Sequence, residues 1–174
     1  VTGFDHTEAT RRLMARSGVP CVHLMETREE PGVHCVGFSQ QAAAGALTRH
    51  LLATGRRRIA FAAAQLDPRT LQRREGWRAE MAAAGLHDPT LEWMNPAPSS
   101  MALGGVMFQQ ILGQQPAVDA VFFCNDDLAQ GALLAANRLG VDVPARIAVA
   151  GFNNLTGGDL MIPPLTTVAT PLAR

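Results

Sequence analysis

Residues 118–140 read VDAVFFCNDDLAQGALLAANRLG, and the fold class is decided here. The first seven are apolar save Asp119 and read as a strand. Asn125 and Asp126 then open a helix, because a side-chain oxygen at that point accepts from a first-turn N–H that the helix leaves without a partner. Acid there also meets the positive end of the helix dipole. The helix runs to Leu139 and stops at Gly140, the usual place for a C-terminal glycine. A strand passing straight into a capped helix is one βα step of a layered sheet.

The same alternation extends in both directions. Toward the C terminus, 147–151 is a strong strand, and Gly157-Gly158 with Pro163-Pro164 separates it from a shorter one at 166–168. Toward the N terminus come a helix at 101–112, a loop at 96–100 and a short strand at 91–94. Before them a helix runs to about 84, with Thr70 as its capping residue and Gly85 after it. The strand at 58–63 is apolar on both faces, as expected where helices cover both sides of a parallel sheet. A helix at 40–54, closed by Gly55, follows a strand at 33–38. The opening residues give a helix at 6–16, an extended run at 20–24 and a charged loop at 25–31. The expected class is α/β, a doubly wound parallel sheet with helices on both faces.

Composition narrows the function. The chain has 174 residues, 47% hydrophobic and 17% charged, so it can bury a core. Fifteen Lys plus Arg balance fifteen Asp plus Glu, which argues against a surface built to neutralise nucleic-acid phosphates. No apolar run approaches the ~20 residues of a bilayer span, and no leader opens the chain, so a cytoplasmic protein without membrane contact is expected. Cys21, Cys35 and Cys124 form no C-x-x-C pair and leave one over, which fits a reducing compartment with each thiol a small buried hydrophobe. The chain begins at Val1 inside a strand-to-helix pattern and reads as a piece of something longer. Nucleotide, zinc-hydrolase and serine-hydrolase motifs are missing, and the five histidines lack metal-ligand spacing. Asp126-Asp127 has a simple use against the helix dipole. No catalytic residue, metal or cofactor is expected, and the chain does not read as an enzyme.

In an open parallel sheet, ligands bind where the strand C-termini and helix N-termini converge. The residues that follow the strands are Phe38 and Ser39; Gln65, Asp67, Arg69, Arg73 and Arg74; Ser99; Asn125 and Asp126; and Phe152, Asn153 and Asn154. This polar, amide-rich and cationic set suits a hydroxylated molecule, and Arg matches a carboxylate with its planar fork. Simpler roles stand beside that one. Asn125 can be only a helix cap, Arg73 and Arg74 only solvated side chains, and Asn153-Asn154 only a turn.

Five motifs in order carry a family likeness: VGF at 36–38; HLLATGRRRIAF at 50–61; Arg73 with Gly76-Trp77; CNDDLAQGA at 124–132; and VAGF at 149–152 leading to PPLTTV at 163–168. Together they resemble the effector-binding region of LacI/GalR-family transcriptional repressors. The resemblance implies a periplasmic-binding-protein-like I fold, with 1–37 the end of a first lobe, 38–163 the second lobe and 164–174 a crossing back. It implies a small-molecule effector held by Phe38 at the hinge, Arg73, Asn125 and Asn153. Ser99, with Trp93 nearby, falls where many members carry an aromatic residue. Asn153 stands where many members carry an aspartate, and an amide there would not repel an anion. Together with QLDPRT at 65–70, this looks more like the gluconate-utilization repressor subgroup, with Arg73 and Arg69 toward the carboxylate of a sugar acid. The resemblance further implies a homodimer that touches operator DNA only through a helix-turn-helix headpiece upstream. The rivals are a solute-binding protein of a sugar transporter and an enzyme of sugar-acid metabolism.

Overall fold

The computed structural model describes residues 1–28 and 30–171. The chain forms two compact units, Val1–Gln40 and Gln41–Arg174. The division falls after Gln40, a little beyond the expected boundary between Gly37 and Phe38.

In the first unit, helix α1 (Glu8–Ser17) is capped by Thr7, whose hydroxyl accepts from Thr10 N, and it ends at Gly18 in the left-handed region. Strands β1 (Val22–Leu24) and β2 (His34–Val36) pair in parallel, with Val22 opposite His34 and Leu24 opposite Val36. Thr2 bridges to Leu24 on the other side. Cys21 and Cys35 are only partly covered, which corrects the expectation of buried thiols. The short two-stranded sheet is too small to enclose them.

The second unit is a five-stranded parallel sheet in the order β4-β3-β5-β6-β7. Helix α2 (Gln40–Ala53) opens on the last residue of the first unit. There follow β3 (Ile59–Ala64), α3 (Pro68–Ala83), a 3-10 turn at Pro89–Leu91, β4 (Glu92–Asn95), α4 (Met101–Gln114), β5 (Ala120–Phe123), α5 (Asp126–Leu139), β6 (Ala148–Asn153), a second turn at Gly158–Leu160 and β7 (Thr166–Ala169). Every residue of β3 and β5 is buried, the mark of strands covered on both faces. Ile59 lies opposite Ala120, and the Phe61 ring meets Phe122 edge-on at 5.2 Å. Trp77 of α3 is fully buried and donates its indole N–H to Ile59 O at 3.2 Å. Burial of such a side chain is among the larger single contributions to a core, since truncation to Ala typically costs about 3–5 kcal/mol.

One feature differs from the sequence reading. Helix α3 starts at Pro68, and its cap is Asp67, which accepts from Thr70 N at 2.8 Å; Thr70 lies inside the first turn. Proline presets the backbone angle of a first helical position and has no N–H to lose there, so Asp67-Pro68 outcompetes the hydroxyl of Thr70. The last segment, 164–174, holds β7 at the place of the strand expected at 166–168, paired with β6 from Ala150–Thr166 to Asn153–Ala169. Its last three residues lie outside the described residues.

Helices α4 and α5 approach to backbone contact. A Cβ on Gly131 would collide with the Met101 carbonyl, and one on Gly104 with the Leu128 carbonyl. The absence of side chains at these two positions therefore sets the height at which α5 lies, and with it the position of its N-terminus at the sheet edge. No helix is long and apolar enough to cross a membrane among the described residues.

Candidate functional site

The C-terminal ends of β3, β5 and β6 lie side by side, so the residues that follow them are neighbours. Arg73 reaches this edge from the second turn of α3. It is 8% exposed; its Nη1 donates to Cys124 O at 2.6 Å and its Nη2 to Asn153 Oδ1 at 3.4 Å. The guanidinium lies over the Phe152 ring, 3.9 Å from the centroid, in the geometry of a cation–π contact. Burial lowers its pKa from the usual value to about 10, opposed by nearby acids including Asp67 and Asp126. The side chain is therefore still a cation at pH 7.

Asn125 is the helix cap that its simpler role describes, and its amide also reaches the loop before α4. Its Oδ1 accepts from Leu128 N at 3.1 Å as the cap of α5, while its Nδ2 donates to Ser99 Oγ at 2.8 Å. The Ser99 hydroxyl in turn lies 3.1 Å from Asn125 Oδ1, to which it donates. Ser99 thus belongs to this cluster. Trp93 sits within β4 opposite Ala62, with its indole nitrogen buried and without a hydrogen-bond partner.

Asn153 and Asn154 have φ of 114° and 56°, so the turn reading of this pair also holds. Asn tolerates such angles better than most residues. The turn bends the chain after β6 and leaves the Asn153 amide facing Arg73, while Thr170 Oγ1 donates to Asn153 O at 3.2 Å.

Arg69 is half-buried and pairs with Asp67, Nη2 to Oδ2, at 3.3 Å. It lies close enough to Arg73 for their charges to repel. Phe38 belongs to the first unit, just after β2, and is partly exposed. The second unit therefore brings together Arg73, Asn153 and the Cys124–Asn125–Ser99 group, with Arg69 at the flank.

Asp126 is the residue whose part the sequence reading did not find. Its carboxylate is fully buried; Oδ2 accepts from Leu155 N at 2.6 Å and Oδ1 from Thr167 Oγ1 at 2.6 Å. It belongs with the turn after β6 and with β7 as much as with its own helix. A Cβ at Gly151 would strike Asp126 Oδ1, so the glycine before Phe152 makes room for this carboxylate. The signal in the sequence was faint: two adjacent acids of which only the second, Asp127, is exposed.

Cys124 is buried, with Sγ 3.8 Å from Ala64 O, and burial pushes its thiol pKa up, so it does not supply a thiolate at neutral pH. Among the described residues no group of three His, Cys, Asp or Glu side chains could hold a metal ion. A separate cavity of about 600 Å³ lies in the first unit, lined in part by Phe4, His6, Arg11, His23 and Arg28; it contains none of the strand-end residues. Chemically, the strand-end cluster offers one fixed cation, two amides and a hydroxyl, a set that suits binding.

Residues 48–174 match the model of the periplasmic binding protein-like domain. The HTH-type transcriptional regulator GntR of Pseudomonas aeruginosa is 56% identical over 171 residues, which are 98% of this chain and 50% of that protein. The crystal structure of the transcription regulator GntR from Chromobacterium violaceum superimposes with a TM-score of 0.95 at 48% identity, covering 98% of this chain and 63% of that one. A LacI family transcriptional regulator from Silicibacter pomeroyi gives a TM-score of 0.87 at 36% identity, covering 94% of this chain and 62% of that one. The chain spans about half the length of the curated relatives it matches. With a parallel sheet whose strand ends gather an arginine and two amides, and with that match over most of its length, the chain belongs to the periplasmic binding protein-like domain family as a LacI/GalR-type effector-binding region.

Proposed function

We propose that the chain senses a sugar acid of the gluconate type on behalf of a cytoplasmic, homodimeric LacI-type regulator, whose helix-turn-helix headpiece grips the operator. The observation that carries this reading is Arg73: a guanidinium held almost out of water at the mouth of the sheet, aimed by a carbonyl and an amide. Such a cation binds a carboxylate strongly, because the charge-assisted pair forms where water competes little. Asn153 favours the same ligand, since its amide keeps the hydrogen bonds a sugar hydroxyl needs and adds no negative charge beside an anion. Asn125 and Ser99 supply the other polar contacts. Regulation follows from a population shift: the effector binds one lobe arrangement better than the other, and that difference moves the paired headpieces relative to DNA. Calorimetry on the intact protein tests the reading, with gluconate and glucose as probes. Gluconate is expected to bind and glucose to bind at least ~10-fold more weakly, the effect of losing one charged hydrogen bond. Glucose binding without gluconate binding would overturn it.

A further inference from the structure

Resting on the sugar-acid reading, we propose that Asp126 is a positioning residue of the effector site: it pins the turn that aims Asn153 at Arg73. Asp126 is fully buried and lies at the first position of α5, next to the cap Asn125. Neither of its oxygens is spent on its own helix cap, which Asn125 provides. Instead Oδ2 holds Leu155 N and Oδ1 holds the Thr167 hydroxyl, both at 2.6 Å, at the short end of the range for charge-assisted bonds. Thr167 Oγ1 also accepts from Asn154 N at 3.3 Å. Asn153, the last residue of β6, and Asn154, which joins it to Leu155, both have left-handed backbone. Such angles persist in residues other than glycine when the surroundings impose them, and here the imposing contacts are Asp126 and Thr167. The far end of that turn is the Asn153 side chain, which receives Arg73 Nη2. Gly151 completes the device by leaving room for Asp126 Oδ1. Asp126 thus acts on the effector through Asn153 and touches no ligand itself.

The test uses the intact protein in two arms. Without ligand, hydrogen exchange is followed in the peptide containing Leu155. Asp126→Asn, which has one neutral acceptor oxygen in place of two charged ones, is expected to speed exchange there by about tenfold, the scale of one charged hydrogen bond. With gluconate as the probe, calorimetry is expected to give an affinity loss of about tenfold for Asp126→Asn in the parent background, and of under about twofold once Asn153→Ala is present, because two residues acting as one unit are not additive. Thr167→Val is expected to weaken binding and Thr167→Ser to retain it; this pair also serves if Asp126→Asn does not fold. Unchanged exchange, or equal losses with and without Asn153→Ala, would overturn the proposal. Faster exchange at Leu155 in a protein that does not bind gluconate would support the pinning role and count against the sugar-acid reading instead.

Discussion

At the residue scale, Arg73 is held at a cost. Burial lowers its pKa from the usual arginine value to about 10, which corresponds to roughly 3 kcal/mol of lost preference for the charged form. A core built for stability alone would place an apolar side chain there, so the cost points to use of the charge. Arg73→Ala is therefore expected to weaken gluconate binding by about 1.5–3 kcal/mol in calorimetry, the scale of a hydrogen bond to a charged group. Arg73→Lys is expected to recover little of it, because an ammonium does not span Cys124 O and Asn153 Oδ1 with a planar fork. The pH dependence has a definite sign. Arg73 is protonated below about pH 10, so affinity for the anion is expected to stay level from pH 7 to 9 and to fall as pH rises through 10. Calorimetry across that range checks it, and a fall already between pH 7 and 8 would point to a different titrating group. The sequence showed that an arginine stood after β3; it did not show that the Phe152 ring and the Cys124 carbonyl would dry and orient it. Those contacts join residues some fifty and eighty positions apart, and only the packed sheet brings them together. Asp126 escaped for the same reason, since its partners Leu155 and Thr167 lie on other elements.

At the element scale, the alternation of strands and helices was readable because each signal is local: a doubly apolar strand, a capping side chain, a terminal glycine. Where two local signals competed, as at Asp67-Pro68 against Thr70, the proline decided the start of α3. Asp67→Ala is expected to destabilise the protein by about 0.5–2 kcal/mol through loss of that cap, and it also frees Arg69 from its carboxylate; urea unfolding measures the first effect. The close approach of α4 and α5 was invisible in the sequence, because glycines within helices read as weak helix formers and not as contact points. Gly131→Val is expected to cost about 1–3 kcal/mol or more, the range for forcing volume into a packed interface, with the midpoint of denaturation falling at unchanged slope. A variant as stable as the parent would mean the helices are free to part. At Gly151, an added methyl would press on Asp126 and not on solvent, so Gly151→Ala is expected to lower gluconate affinity as well as stability.

At the scale of the whole molecule, the fold class was legible from the order of elements, and the family from five short motifs, four of which lie within the match over residues 48–174. The short strand at 166–168 was legible too, and β7 takes the edge of the second unit's sheet. A strand at the edge of a sheet carries few buried side chains to mark it, and 166–169 is indeed only partly covered. The zero formal charge offers no excess of cations to neutralise phosphates, in keeping with the proposed role. The proposed function requires the strand ends of the second unit to be the place where the effector sits. The most direct test is a crystal structure of the intact protein with gluconate. The carboxylate is expected within about 3 Å of the Arg73 guanidinium, as charge-assisted pairs require, with hydroxyls on Asn125 and Asn153. Gluconate seated elsewhere, for instance in the cavity between Phe4 and Arg28 of the first unit, would contradict it.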